Sequence, residues 1–539
     1  MLLRIAVIDA LARATGKRYS TFDVVGAGPR VVAGIVEKYA EVRFYPYESA
    51  LNFLLEVSRN DVVMISAMST DFLAVSKLVV NLRRLGYKGL VIIGGPISFE
   101  YVKILNNIQV DLVVVGEAEI PLTRLMPILK NSSPDFSNVP GVAFKQGDQI
   151  KLTSKHIYTP IEVMESIKPW TRVNEAFKYP QIYRFYVEVV RGCSNYNRPT
   201  ISLPGKKCIS CFKCRSPVYE ERLKCPVDIP PGCGFCSVPF MFGPARSRSI
   251  KAITDEVSEL LNHGARRVVL SAPDFLDYMR EKLVNGPLTD PCSPPANVDA
   301  IESLLNTLFS IEEIKNNKAV LMIENIKACL VDEEVGKVLG RYLKGTTVHI
   351  GLETGCNWFN EKVLGKPITL EHVLNASRIL RRHGLRPYIY LMIGLPYATR
   401  EVYAETLTAM DYLRECDVEK ITLYKYMNLP ATAFENSKPL MSRDIDDLIR
   451  KLRKTVELYN LATKRRFIGK NIEAWLLEFD GKTYGYPVKH GPVVFVENPY
   501  RRSVSGCRGI VKIVDIGPRF IKGRLVSILE CPEYSQNSQ

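Results

Sequence analysis

Seven of the chain's thirteen cysteines crowd between Cys193 and Cys236, at Cys193, Cys208, Cys211, Cys214, Cys225, Cys233 and Cys236. The others (Cys292, Cys329, Cys356, Cys416, Cys507, Cys531) are scattered. A secreted disulfide scaffold is small and cysteine-dense throughout. A single cluster inside 539 residues reads instead as metal ligation; intracellular disulfides, as in hyperthermophiles, are the competing use. Cys233-Gly234-Phe235-Cys236 places two thiols where they can hold one metal or two irons of one cluster. Cys208, Cys211 and Cys214 form C-x2-C-x2-C, and Cys225 precedes Pro226, the ferredoxin-like manner of holding a [4Fe–4S] cluster. The seven divide into three plus four, with zinc as the alternative occupant.

The surrounding pattern fixes the scaffold. Apolar runs at residues 2–9, 42–46, 61–68, 89–95 and 111–117 alternate with amphipathic stretches such as 71–85. Strands apolar on both faces and separated by helices predict a doubly wound parallel sheet. Its carboxyl edge would carry Ser66, Ser69, Gly94, Gly95, Gly116 and Glu117. Gly26-Ala27-Gly28-Pro29-Arg30 does not meet the dinucleotide fingerprint and reads as a tight turn opening a helix. Residues 136–185 look connective, with a hairpin over 141–153. Six further strand candidates (186–190, 267–271, 319–323, 348–352, 386–393, 420–424) predict a partial (β/α) barrel. A charged helix over 444–466 follows, and then five short strands between 472 and 528 predict a small β-barrel. The fold class is therefore α/β. The expected domains are 1–135, a linker 136–185, 186–464 with a Cys-rich insertion 194–232, 465–529, and a tail 530–539.

Composition bounds the partners. With 46% hydrophobic and 24% charged residues the chain is of globular type. No apolar run is long enough to predict a transmembrane helix. Residues 1–9 read as a strand rather than a signal peptide, so a cytoplasmic location is expected. A formal charge of +15 favours anionic partners, nucleic acid or anionic lipid.

Arg191-Gly192-Cys193 and Cys233-Gly234-Phe235-Cys236 together resemble the signature of radical S-adenosylmethionine (SAM) enzymes of the cobalamin-binding-domain subgroup. The family places three residues between the two halves; here 39 intervene, and they carry the other four thiols. The resemblance implies that Cys193, Cys233 and Cys236 hold a [4Fe–4S] cluster whose open iron chelates SAM. Cys208, Cys211, Cys214 and Cys225 would then hold a second [4Fe–4S] cluster or zinc. The alternative partition gives Cys208, Cys211 and Cys214 the SAM cluster. Gly351-Leu352-Glu353-Thr354-Gly355 matches the family's turn after the fourth strand, with Glu353 a candidate for SAM or substrate binding. Gly394-Leu395-Pro396 resembles the motif bordering the adenine, and Asn428-Leu429-Pro430-Ala431-Thr432 the loop after the sixth strand. Ser271-Ala272-Pro273-Asp274 stands where the family carries Gly-Gly-Glu, and departs from it. Arg246 and Arg248 read as anion-pairing or solvated cations.

The flanking domains add to the resemblance. Gly94-Gly95-Pro96 and Gly116-Glu117-Ala118-Glu119 are similar to cobalamin-domain motifs, but the Asp-x-His-x-x-Gly motif is missing. No histidine precedes His156, so no axial histidine is expected from this domain. Residues 465–529 resemble a TRAM domain, an RNA-binding module, with twelve Lys or Arg against five acids, a net +7, and interleaved Tyr484, Tyr486, Phe495, Tyr500 and Phe520. A basic surface with aromatic platforms suits phosphate contacts and base stacking. Methylthiotransferases of this kind carry three cysteine ligands in their N-terminal domain; residues 1–192 contain none. The resemblance implies a radical SAM enzyme that methylates (or methylthiolates) RNA, tRNA above all, at an unreactive carbon, fed by a ferredoxin- or flavodoxin-like electron donor. A lipid or protein substrate, or a non-enzymatic Fe–S or zinc RNA-binding protein, are the competing readings.

Overall fold

The computed structural model describes residues 3–15, 22–131, 134–500 and 502–532. Met1 and Leu2 of the first expected strand, Arg501 and most of the tail lie outside the described residues. The chain forms two compact units, residues 1–188 with 248–268, and residues 189–247 with 269–539.

In the first unit the five expected strands pair in parallel, in the order Glu41–Pro46, Arg4–Asp9, Val62–Ser66, Leu90–Gly94, Leu112–Val114. This is the 2-1-3-4-5 order of flavodoxin-like sheets, whose ligands sit beyond the carboxyl ends. The inner strands Val62–Ser66 and Leu112–Val114 are buried throughout because helices cover both faces, whereas the edge strand Glu41–Pro46 exposes Glu41 and Arg43. Helix Phe72–Arg84 turns Ala74, Val75, Leu78, Val79 and Leu82 onto the sheet. The hairpin expected over 141–153 does more than connect. Its strands Val142–Gln146 and Gln149–Leu152 extend the same sheet antiparallel, giving seven strands where about five were expected. The Gly26 turn opens helix Ala27–Val36, its amide donating to Asp9 Oδ2 at 2.9 Å. Arg30 on that helix is fully buried, paired with Glu256 at 2.6 Å. Arg248, expected as a solvated or anion-binding cation, is also buried on Glu256, at 2.6 Å; an ion pair inside the unit occupies it.

The six strands expected of the partial barrel are all present. They appear as Arg184–Glu188 with Val190–Arg191, then Arg267–Ser271, Val320–Ile323, Thr347–Glu353, Arg386–Ile393 and Lys420–Lys425. In the second unit Asn325–Ile326, Thr347–Glu353, Arg386–Ile393 and Lys420–Lys425 form one parallel sheet. Val348, Ile350 and Leu352 are buried together with Ile389, Leu391 and Ile393. The intervening positions His349 and Tyr390 fall on the other face, as period two requires.

Helix Arg443–Arg465, capped by Ser442, leads into a closed five-stranded barrel: Asn471–Phe479, Lys482–Pro487, Val494–Glu497, Ile521–Glu530, Arg508–Ile516. Leu476, Val494, Val511, Ile513, Ile521 and Leu525 fill it. Asp480 and Gly481 both take positive φ in the turn between the first two strands, the conformation two-residue hairpins need. The turn after Pro487 docks on the larger domain: His490 Nδ1 lies 2.6 Å from Thr347 Oγ1, and the Arg386 guanidinium donates to His490 O at 2.9 Å. Two disulfides, Cys292–Cys329 and Cys507–Cys531, use four of the scattered cysteines, for which the sequence offered no role. The seven clustered cysteines are free thiols.

Candidate functional site: two thiol sites and a glycine-lined sheet edge

Three thiols come together from the two halves of the split motif. At Gly192 (φ 83°) the chain turns where a Cβ would lie 2.3 Å from Pro244 O. Only glycine allows that approach, and the Cys193 amide then donates to Gly243 O. The second half is clamped from below: Gly234 N donates to Leu364 O at 2.7 Å, and a Cβ on Gly234 would meet the Phe434 ring at 2.6 Å. Asn195 joins the halves. Its side-chain amide reaches Cys233 Sγ at 3.3 Å and Gly365 O at 3.1 Å, while its backbone N–H faces Cys193 Sγ at 3.4 Å. Burial pushes the Cys193 thiol up to about 11, against the pull of Lys327. Burial, with Cys233 and Cys193 as neighbours, pushes Cys236 up to about 12. A metal binding here must displace those protons.

Two lysines with largely covered side chains flank the three thiols. Lys366 Nζ lies 2.6 Å from Glu353 Oε1. Burial alone would lower Lys366, but Glu353 and Cys233 outweigh it and hold the ammonium above its usual range. Glu353 sits at φ 68°, beside a register shift in its strand, the kind of strained backbone that clusters at functional sites. A Cβ on Gly351 would lie 2.4 Å from Glu353 Oε1 and 2.6 Å from Lys366 Nζ, so this glycine makes room for the pair. Lys327 Nζ reaches Asp274 Oδ2 at 2.8 Å, Asp277 Oδ2 at 2.7 Å and Ser194 Oγ at 2.8 Å, and Arg280 also pairs with Asp277. Burial would raise Asp277, but Lys327 and Arg280 hold it below the usual carboxylate range; for Asp274 burial wins and its carboxyl is raised. Asp274, in the place of the family's glutamate, is thus committed to a lysine. Ser271 accepts from Val189 N through its carbonyl, at the end of the same strand. Gly394 takes φ 70° with open space where a Cβ would be, its amide donates to Tyr403 OH at 3.0 Å, and Leu395 is buried beside Pro396.

The four inserted thiols form a second site. Cys208, Cys211, Cys214 and Cys225 line one cavity of about 230 Å³ together with Arg198, Arg215, Lys224 and Lys362, and no acid lines it. The four thiols surround that volume. Burial pulls the Arg198 guanidinium down while Cys225 and Cys214 oppose it, so a cation faces whatever the thiolates hold.

In the first unit the carboxyl edge gathers the expected residues. Gly95 (φ 83°) approaches Ala67 O and Ser66 Oγ so closely that a Cβ would stand 2.8 and 3.1 Å from them. Gly94 precedes it at the strand end, and Gly116 donates to Ser98 Oγ at 3.2 Å. Glu117 is buried and accepts from Thr159 N at 2.8 Å; Glu119 accepts from Thr159 Oγ1 at 3.1 Å. These acids anchor the connecting segment over the sheet edge. That anchoring brings His156 against Gly116, where a Cβ would be 2.8 Å from the histidine's own, between Phe99 and Tyr158. A histidine distant from the motif in sequence therefore lies at this edge after all. Doubly wound sheets bind their ligands, nucleotide-like cofactors among them, beyond the carboxyl edge that these glycines line.

Asn195, Lys327, Lys366, Asp277 and Phe434 carry no motif that sequence reading could have seized on; only the thiol pattern around them was visible.

Comparison with known proteins agrees with this layout. Residues 224–410 match the Radical SAM superfamily and residues 18–126 the B12 binding domain. The first match begins after Cys193, so that thiol is placed by the geometry above. The chain is 39% identical to an uncharacterized protein of Methanopyrus kandleri, over 98% of this chain and 97% of that one. It is 22% identical to the ribosomal protein uS12 methylthiotransferase RimO of Thermoanaerobacter, over 52% of this chain and 62% of that one. Its fold is similar to that of the radical SAM methyltransferase TsrM of Kitasatospora setae, solved with cobalamin and a [4Fe–4S] cluster, at a TM-score of 0.56 and 13% identity, covering 81% of this chain and 74% of that one.

Proposed function

The chain belongs to the radical SAM superfamily and carries a B12-binding domain ahead of its radical SAM domain, and from that premise we propose that it methylates a carbon of RNA, tRNA above all. When bound, a [4Fe–4S] cluster with SAM supplies reductive cleavage of SAM, and cobalamin supplies a transferable methyl group. In this reading Cys193, Cys233 and Cys236 are the cluster ligands, and Asn195 fixes the distance between the halves of the motif. Glu353 and Lys366 offer one negative and one positive charge side by side, complementary to the ammonium and carboxylate of an amino acid such as SAM. Gly394, Leu395 and Pro396 present backbone to its adenine. Ser66, Gly94, Gly95, Gly116 and Glu117 line or brace the cobalamin edge. Cys208, Cys211, Cys214 and Cys225 hold the second cluster, whose charge Arg198, Arg215, Lys224 and Lys362 offset; an iron–sulfur cluster suits that volume better than one zinc ion. A small ferredoxin- or flavodoxin-like protein is the expected electron source.

The observation that carries the RNA reading is the C-terminal barrel. Lys482, Lys512, Lys522 and Arg524 stand exposed on its strands, and Tyr484, Phe495 and Phe520 form one ring cluster at 5.2 and 4.5 Å. Cations beside aromatic faces suit a nucleic-acid strand. No described helix is long and apolar enough to cross a membrane. The relatives that act on a ribosomal protein favour a protein substrate as second reading. Mass spectrometry of RNA nucleosides with and without the gene tests the choice: a methylated nucleoside should vanish on deletion and return with the wild-type gene but not with Cys193→Ala. An unchanged nucleoside set, with 5′-deoxyadenosine still formed by the reconstituted protein, would move the substrate elsewhere.

A further inference from the structure

Away from both thiol sites, the foot of the radical SAM domain carries an open depression of about 430 Å³, lined by Lys337, Gly340, Arg341, Lys344, Arg382, His383 and Gly384. No acid and no large apolar side chain lines it. Helix Glu333–Leu343 contributes Lys337, Gly340 and Arg341, at i, i+3 and i+4 on one face. Helix Leu370–Arg382 contributes its last residue and the turn that follows. Two glycines let a backbone carbonyl and a lysine stem approach closely along its lining. A Cβ on Gly340 would stand 2.6 Å from His383 O, and Gly384, at φ 81°, lets the Lys344 stem cross it where a Cβ would be 3.0 Å away.

Only half of the charge is compensated. Arg341 pairs with Glu302 and Arg382 with Glu333, yet both arginines remain about three-fifths exposed, at 62% and 63%. Lys337 and Lys344 have no carboxylate within ion-pairing distance among the described residues. Four Lys or Arg against two acids leave +2 with histidine neutral. Lys489, from the C-terminal barrel, adds another cation at the rim and donates to Lys344 O at 3.0 Å. The depression therefore adjoins the basic barrel. Lys337 to Lys344 spans about 10 Å of helix, roughly three successive phosphates of one nucleic-acid strand.

We infer that this depression is a phosphate-binding surface that continues the RNA track of the C-terminal barrel onto the radical SAM domain. The inference rests on the RNA reading above and extends it to residues outside the barrel. Cations near helix ends also complement the helix dipole, but that role accounts for stability, not for salt-dependent affinity.

The test is filter binding of bulk tRNA to the full-length protein and to Lys337→Gln/Lys344→Gln, with Lys451→Gln/Lys454→Gln, the same charge change on helix Arg443–Arg465, as control. Each lost phosphate contact should lower the salt slope by about 0.9. Two contacts make the ratio of wild-type to variant affinity change about twelvefold between about 50 and 200 mM salt. The control should keep the wild-type slope. Equal slopes for all three proteins, or an equal loss in the control, would overturn the inference while leaving RNA binding itself intact. A wild type that does not bind tRNA would remove the RNA reading and this surface with it. Loss of binding to phosphatidylglycerol vesicles without loss on tRNA would reassign the patch to a membrane and overturn the inference.

Discussion

Replacing Lys327 by Met is the sharpest probe of the charged group beside Cys193. In the wild type, Lys327 and Arg280 balance Asp274 and Asp277, and both carboxylates are essentially inaccessible. Without the lysine one buried negative charge is left over. Breaking a buried pair this way costs about 3–5 kcal/mol. The loss has a ceiling, because a carboxyl can take up a proton instead. Asp274 is the one to do so, since burial already raises it. Protonating a carboxyl of ordinary pKa costs about 4 kcal/mol at pH 7 and about 1.5 kcal/mol at pH 5. In the variant the folded state holds a proton that the unfolded state has released, so variant stability falls as pH rises through this window. The expected deficit in guanidinium unfolding of the metal-free protein is therefore about 3–4 kcal/mol at pH 7, shrinking toward about 1.5 kcal/mol at pH 5. Lys327→Met/Asp274→Asn should regain about 2 kcal/mol or more at pH 7, since it removes the stranded charge. A deficit below about 1 kcal/mol at pH 7, or one that does not change with pH, would refute the argument.

Three further outcomes are expected. Anaerobically reconstituted wild type should hold about eight irons per chain; Cys193→Ala should lose SAM cleavage, whereas Cys214→Ala should lose about four irons and still bind SAM, as iron analysis and SAM titration would show. Burial, with Lys420 nearby, lowers Lys464 to about 8, and its ammonium donates to Gly517 O and Pro518 O. Its folded value lies below the unfolded one, so stability should rise as pH goes from about 8 to 10.5, by roughly 1 kcal/mol once solvent screening discounts the full shift of about 3; Lys464→Met, compared by urea unfolding, should lack that slope. Cys507→Ser opens the Cys507–Cys531 bridge of the barrel, whose partners are 24 residues apart, and should destabilise the barrel by up to about 3 kcal/mol in chemical denaturation under oxidising conditions.

What the sequence revealed and what it concealed divide on physical lines. Continuous apolar runs such as Val62–Ser66 announce a strand covered on both faces, and apolar residues alternating with polar ones early in Ile521–Glu530 announce a barrel wall; both signals are local. The thiol spacing is local too, within each half of the motif. Partners are not local. Nothing in the sequence links Lys327 to Asp274, 53 residues earlier, or Thr159 to Glu117, 42 residues earlier. Polar residues at loop positions read as solvated until the fold buries them. The same blindness made the 141–153 hairpin look connective: its pattern gave two strands but not the sheet edge they complete.

The 39-residue insertion inside the signature shows how a split motif can still build one site. Lengthening the loop between two fixed points from three residues to 39 costs only about 2 kcal/mol of closure entropy. Arg198 offsets that cost. It is buried, and its guanidinium donates to the carbonyls of Ile229, Tyr196, Arg222 and Leu223, at 2.8, 3.1, 2.7 and 3.3 Å. Hydrogen bonds from a charged donor contribute about 1.5–3 kcal/mol each. Arg222 adds a pair with Asp290 and a bond to Ser216 O. Gly232 N then returns to Asn197 O at 2.8 Å, so the two ends of the insertion are stitched together immediately before Cys233. The short stretch from Cys193 to Thr200 thus borders both thiol sites, with Asn195 on one and Arg198, Pro199 and Thr200 on the other. The insertion is held by the same backbone that fixes the first cysteine, which is why four extra thiols can be added without displacing the three.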